Sequence, residues 1–346
     1  MKRIYKIALT ALVVFGALAF AVFGRWYNDN RRANFTDKYV LFVRPDMPVD
    51  EVMDSLVIGA GAIRPRSIER CFREVDAASG IKPGRYVVEP SFTSIYVARM
   101  LVNGWQTPGK LTLSGTIRTK ERLAQKISAQ MMVDSASIAD ALGSADFLEP
   151  YGFTPENIFA MILPDTYQMY WTASVKDIFD RMKKEYDVFW NEDRLAKAKA
   201  QKLTPMQVSV MASIVSGETL MSFEYPRIAG VYLNRFRKGM KLQADPTVAF
   251  CFNYELDRIL KKHLQVDSPY NTYKYAGLPP APINVPPKAC LEAVLSPEKH
   301  KYIYFCASPA FDGTHRFAVS YNDHLKNAKE FQRALTRRNK EKASAK

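Results

Sequence analysis

Histidine is scarce in this chain, with four residues (His263, His300, His315 and His324). They are scattered, and no His-Glu-x-x-His pair exists, so a metal hydrolase of that type has no ligand set. Cysteine is equally rare, and Cys71, Cys251, Cys290 and Cys306 contain no Cys-x-x-Cys pair. Four cysteines allow three disulfide pairings that sequence cannot distinguish, and four free buried thiols are the plainer alternative. There is no Gly-x-Ser-x-Gly elbow. The stretch GAGAI (Gly59–Ile63) lacks the third glycine of a dinucleotide loop and follows a helical pattern. No internal repeat is present. Acidic side chains are also in short supply: 35 against 49 basic ones, a net charge of +14. Such a surface favours nucleic acid, acidic lipid headgroups or anionic polymers.

Apolar residues are plentiful. The 346 residues are 47% hydrophobic and 12% aromatic, enough for a sizeable core and two domains. Lys2, Arg3 and Lys6 precede an uncharged run from Ile7 to Gly24, close to the lower limit for spanning a bilayer. A cleaved secretory signal has the same outline, with Ala17-Leu18-Ala19 as its site. The run continues past that site to Phe23, which favours an uncleaved anchor. With residues 1–6 inside, the body faces the periplasm or cell exterior, and nucleic acid drops out as a partner.

The chain beyond the anchor alternates strand and helix signals, an α+β class. A polar linker (25–38) leads to strand composition at Tyr39–Val43. Val49, Val52, Met53, Leu56 and Val57 have helical spacing, IRPRSIERCFREV is a second helix, and Tyr86–Val88 is a second strand. The helix SIYVARMLVNG ends at Gly104. After the strand KLTLSG and the helix TKERLAQKISAQM the chain turns mainly helical, with a tight turn at LPDTY (Leu163–Tyr167). One long charged helix is expected over SVKDIFDRMKKEYDVFWNEDRLAKAKAQK, and another from Pro205 to Glu218. KYIYFCAS (Lys301–Ser308) reads as a buried strand with HRFAVS as its partner, and residues 336–346 as a disordered basic tail.

The Pro205–Glu218 helix carries the chemistry. Val208, Met211, Ile214 or Val215, and Glu218 follow one another at three- and four-residue steps, so Glu218 extends the apolar face. A carboxyl against apolar surface resists ionisation, and its raised pKa suits a general acid. The plainer alternative is an ion pair with Arg227 or Arg235. Glu224 lies about 240° further round a continuous helix, so it shares a site with Glu218 only if the chain bends.

ASIVSGET (Ala212–Thr219), Glu224, VYLNRF, LQADPTV, YNTY, GLPPAPI and YIYFCAS with GTHRF stand in the order and spacing of the YceG-like family. The sequence resembles these MltG-type endolytic murein transglycosylases over nearly its whole length, most specifically from Met211 to Phe317. The resemblance implies an inner-membrane anchor (7–24), a LysM-like β-α-α-β subdomain (39–105) and a YceG-like catalytic domain (106–335). It implies cleavage of MurNAc–GlcNAc bonds in nascent peptidoglycan to 1,6-anhydro-MurNAc ends, with no cofactor and no metal. The family's catalytic glutamate directly precedes the threonine of its segment and is Glu218 here. Many relatives carry a second glutamate two positions earlier, where this chain has Ser216. By the same resemblance Glu224 is supporting, and Asn234, Gln243, Asp245, Thr247, Asn271, Thr272 and Tyr273 line a sugar cleft. His315 closes that cleft or belongs to a strand core. Glycan strands, the membrane and cell-wall synthases are the implied partners. A non-cleaving peptidoglycan-binding scaffold and a hydrolytic muramidase are the alternatives.

Overall fold

A computed structural model describes residues 2–344. They divide into two compact units. One comprises the chain up to Leu111 with Gln130–Met132 and Gln168–Ala173; the other comprises Thr112–Ala129, Val133–Tyr167 and the described chain from Ser174 onward.

The first unit begins with α1 (Lys2–Asn30), long and apolar enough to cross a membrane. The helix runs beyond the uncharged stretch into what composition marks as linker. Its last turn is held by side chains: Asp29 accepts from Arg70 Nε at 2.9 Å and from the Ser67 hydroxyl. Strands β1 (Tyr39–Val43) and β2 (Gly84–Val88) pair antiparallel with Tyr39 opposite Val88. The period-two alternation of strands turns Leu41, Val43, Tyr86 and Val88 inward. Helices α2 (Val49–Asp54), α3 (Pro65–Glu74), α4 (Ala77–Gly80) and α5 (Ser94–Asn103) close the core with Val52, Ile68, Phe72, Ala77 and Ile95. Helix α5 is capped by the Thr93 hydroxyl and ends at Gly104, whose φ of 70° is left-handed backbone that glycine adopts without strain.

Strands β3 (Gly109–Thr112) and β4 (Thr166–Met169) form a second two-stranded sheet; β4 takes in the end of the Leu163–Tyr167 turn. The larger unit is mainly helical, as expected: α6 (Lys120–Ser128), α7 (Ser135–Gly143) and α8 (Ala145–Leu148) precede α9 (Val175–Phe189) and α10 (Glu192–Ala200). The single charged helix expected over these last two is broken. Trp190 leaves helical geometry, and the Asn191 side chain caps the new helix by accepting from Arg194 N at 3.0 Å.

Helix α11 (Pro205–Glu218) opens on a Thr204–Gln207 capping box with Pro205 in its first turn. It is the centre of the unit. Every residue from Val208 to Val215 is buried, packed by α12 (Tyr225–Arg237), α13 (Asp245–Cys251) and α14 (Lys288–Leu295). The single apolar stripe inferred from spacing is therefore too modest: the helix is covered on all sides. Ser213 joins it to the 277–287 loop, its hydroxyl accepting from Ile283 N and its carbonyl from Asn284 Nδ2.

Strands β5 (Tyr304–Ala307) and β6 (His315–Ala318) pair antiparallel. β5 is half-buried, not buried, because a two-stranded sheet leaves it an open edge. The final helix, α15 (Tyr321–Ser344), overturns the expectation of disorder from residue 336. Lysine, arginine, glutamate and alanine are good helix formers, and the Arg338 guanidinium lies 4.6 Å over the Phe311 ring. Residues 345 and 346 lie outside the described chain. The four cysteines are free thiols, Cys71 and Cys290 buried, the other two half-buried.

Candidate active site

Glu218 is the last residue of α11. Thr219 is extended, a short 3-10 turn spans Ser222–Glu224, and α12 begins at Tyr225; the bend that Glu224 required is present. A Cβ on Gly217 would sit 2.6 Å from Pro246 Cβ, so only glycine lets the end of α11 meet the start of α13. That contact delivers Glu218 and Asp245 to one cavity of about 450 Å³.

Two residues of α12 complete the acid's surroundings. Tyr232 and Arg235, three apart, share a helix face. The Tyr232 hydroxyl donates to Glu218 Oε1, and the Phe305 ring meets the Tyr232 ring edge-on at 5.9 Å. Arg235 makes no ion pair with Glu218. Its Nε donates to Ile303 O at 2.6 Å and its Nη1 to Leu242 O at 2.7 Å, which fixes a positive charge in the cavity wall. The other candidate cation, Arg227, is engaged by Glu298 at 3.0 Å. Burial is the main force on the Glu218 carboxyl and pushes it up to about 7; the Asp245 charge adds to this, while the Tyr232 bond and the Arg235 charge oppose it. Burial also holds the Tyr232 hydroxyl well above its ordinary range, so it stays a donor.

Gln243, Asp245, Tyr273 and His315 line the same cavity. The Tyr273 hydroxyl donates to Asp245 Oδ1 at 2.5 Å. Gln243 has a left-handed backbone, φ 52°, held by its N–H donating to Thr272 O at 3.1 Å. The remaining polar candidates build the wall and do not face the opening. Thr272 Oγ1 accepts from Ala244 N at 2.9 Å and meets Thr247 Oγ1 at 2.9 Å. Asn271 Nδ2 donates to Leu264 O and Val266 O. Asn234 Nδ2 donates to His300 O at 2.9 Å and Tyr302 O at 3.0 Å.

Glu224 is buried behind His315. Its Oε1 accepts from His315 N at 2.9 Å and its Oε2 lies 2.8 Å from His315 Nδ1. It orients an imidazole that reaches the cavity and does not reach it itself.

Tyr232, Arg235, Phe305, Cys306 and His324 also line the cavity and were not among the residues singled out for it by sequence. The three-residue spacing of Tyr232 and Arg235 in VYLNRF was the one available signal. His324 arrives from α15 and stacks on Tyr304 at 5.3 Å; burial, then the Arg235 charge, holds its imidazole below the ordinary range. Among the described residues no group of three or more His, Cys, Asp or Glu side chains could hold a metal ion. A half-buried acid with a proton near neutrality, a hydroxyl fixing one of its oxygens and a polar, open cavity together suit general-acid proton transfer.

The YceG-like family model matches residues 41–330. An endolytic murein transglycosylase of Bacillus subtilis is 38% identical over 158 residues, 46% of this chain and 43% of that protein. Its namesake in Streptococcus pneumoniae serotype 2 is 27% identical over 174 residues, 49% of this chain and 31% of that protein. The match thus spans less than half the length of these curated relatives. The crystal structure of a YceG-like protein of Listeria monocytogenes superposes with a TM-score of 0.56 at 26% identity, covering 84% of this chain and 98% of that one.

Proposed function

The chain belongs to the YceG-like family, and from that premise we propose that it is a membrane-anchored endolytic peptidoglycan lytic transglycosylase with Glu218 as catalytic acid and base. Its α1 helix is the single-pass anchor in the cytoplasmic membrane, the β1–β2 unit is LysM-like, and the Glu218 cavity cuts nascent glycan delivered by cell-wall synthases. The observation that carries this reading is the Glu218 carboxyl, raised to about 7 in a cavity where Tyr232 occupies one of its oxygens.

Most glycosidases use two carboxyl groups. A lytic transglycosylase needs one, because its nucleophile belongs to the substrate. Protonated Glu218 donates to the oxygen of the MurNAc–GlcNAc bond as C1–O cleavage begins. The resulting carboxylate takes the proton from the C6 hydroxyl as that oxygen bonds to C1. The product is 1,6-anhydro-MurNAc, no water is consumed, and Glu218 is protonated again. Holding the C6 hydroxyl beside C1 supplies the advantage of an intramolecular reaction. Arg235 and Tyr232 keep the acid from being so weak that it cannot return to the carboxylate. The Tyr273–Asp245 pair and Gln243 offer donors and acceptors to sugar hydroxyls and acetamido groups.

Asp245 favours a second reading. As a second carboxyl in the cavity, it allows a hydrolytic muramidase that cuts the same bond with water. Mass spectrometry of digested strands separates the two. Anhydro ends from the wild type, absent with Glu218→Gln, support the transglycosylase; reducing ends overturn it in favour of hydrolysis. No new ends would leave a binding scaffold.

A further inference from the structure

The larger unit carries a second, open cavity of about 550 Å³, within the range of small-ligand sites. It adjoins the catalytic one through shared elements. Helix α13 carries Asp245 in the catalytic cavity at its first turn and Phe250 in the second cavity at its last, about 7.5 Å apart along the axis at 1.5 Å per residue. The loop that brings Tyr273 to the first brings Tyr270 to the second, where its ring lies 4.5 Å from that of Phe250.

The lining mixes both signs of charge with an aromatic wall. Arg118 lies 4.8 Å over the Tyr254 ring, and neither it nor Lys120 is in a salt bridge among the described residues. Burial draws the Lys120 ammonium below its ordinary range, against the pull of Glu156 and Glu121, so an anionic partner there would meet a partly desolvated cation. Glu156 and Glu255 stand on the same rim. A bare glycan strand offers one lactyl carboxylate per disaccharide but no ammonium and no aliphatic chain, so it leaves Glu156, Glu255 and the aromatic wall without a partner.

We propose that this cavity binds the stem peptide borne by the strand seated in the catalytic cavity. Arg118 and Lys120 take its carboxylates, Glu156 and Glu255 take the ammonium of its diamino acid, and Phe250 and Tyr270 cover that residue's methylene chain. Guanidinium–carboxylate pairing is bidentate and directional, and stacking on Tyr254 pre-orients the Arg118 fork. The inference rests on glycan as the substrate, and it makes the enzyme selective for strands that still carry peptides.

The test measures binding, separately from cleavage. The full chain in detergent, made inactive by Glu218→Gln, is titrated with soluble peptide-bearing strands and with the same strands stripped of peptide by an amidase. The expected result is at least tenfold tighter binding of the peptide-bearing strands. Adding Arg118→Ala and Lys120→Ala abolishes that preference while leaving affinity for stripped strands unchanged, which also shows that the variant is folded. The exchange Arg118→Lys with Lys120→Arg retains most of the preference. Equal binding of the two strands, or a double substitution that weakens both alike, overturns the proposal. Absence of cleavage products from the wild type overturns only the catalytic reading, since the binding comparison still stands.

Discussion

Glu218 and Glu224 are six residues apart and stand at opposite ends of one bend, yet their surroundings differ in kind. Glu218 meets one phenol, apolar surface and the open cavity, with its nearest cation tied to backbone carbonyls. Glu224 is enclosed, with a backbone N–H, an imidazole and the Thr219 hydroxyl around its two oxygens. A carboxylate that is fully bonded is a structural support, whereas one left short of partners in a desolvated place keeps its proton and can give it away. Proximity in sequence says nothing about which of these a glutamate becomes.

The sharpest break of this contrast is Glu218→Gln. It is expected to lower the rate of strand cleavage roughly 10³-fold or more while the fold persists, measured by the yield of anhydro ends. Glu224→Ala should act mainly on stability. It leaves the His315 N–H and imidazole without their buried acceptor and is expected to cost about 2 kcal/mol, read from denaturant unfolding; an intact stability with lost cleavage would move Glu224 into the catalytic set.

The stability of Glu218→Gln should itself depend on pH. The wild-type carboxyl rises from 4.5 to about 7 on folding, so the folded state binds the extra proton between those values. Its contribution is complete below about pH 4.5 and is lost as pH climbs through 7. The glutamine variant should match the wild type near pH 4 and exceed it by about 1–3 kcal/mol at pH 8. A constant difference across that window would mean that the carboxyl is not raised.

The smallest effects are displacements of the pH–rate profile, whose descending limb should fall near 7. Tyr232→Phe removes a bond to the carboxylate, which moves the limb to higher pH. Asp245→Asn removes a negative neighbour, which moves it to lower pH. Opposite shifts with most of the plateau rate retained fit their place around Glu218; complete loss of cleavage in Asp245→Asn would make Asp245 a reacting group and favour the muramidase.

Much of the fold was legible in the chain. Tyr39–Val43, Pro205–Glu218 and the stop at Gly104 agree with the structure because alternation, capping box and glycine signal are local. The charged segment after Ser174 misled because a single asparagine cap at Asn191 interrupts an otherwise continuous helical composition. The tail misled because its charge suggested disorder while its residues favour helix.

The candidate site was legible in part. Motif residues brought Gln243, Asp245, Tyr273 and His315 into the lining together with Glu218, whereas Asn234, Thr247, Asn271 and Thr272 hold its wall. An amide or hydroxyl has the same appearance in sequence whether it meets a ligand or a carbonyl of the next loop.

What the sequence determined by itself was the order of elements, the apolar first helix and a glutamate closing a deeply apolar helix, because each is a pattern within a few turns of chain. What only the tertiary structure decided was the state of that glutamate. Tyr232 and Arg235 reach it from α12 and Asp245 from α13, and the balance of burial, one hydrogen bond and two charges exists only once α11, α12 and α13 have packed.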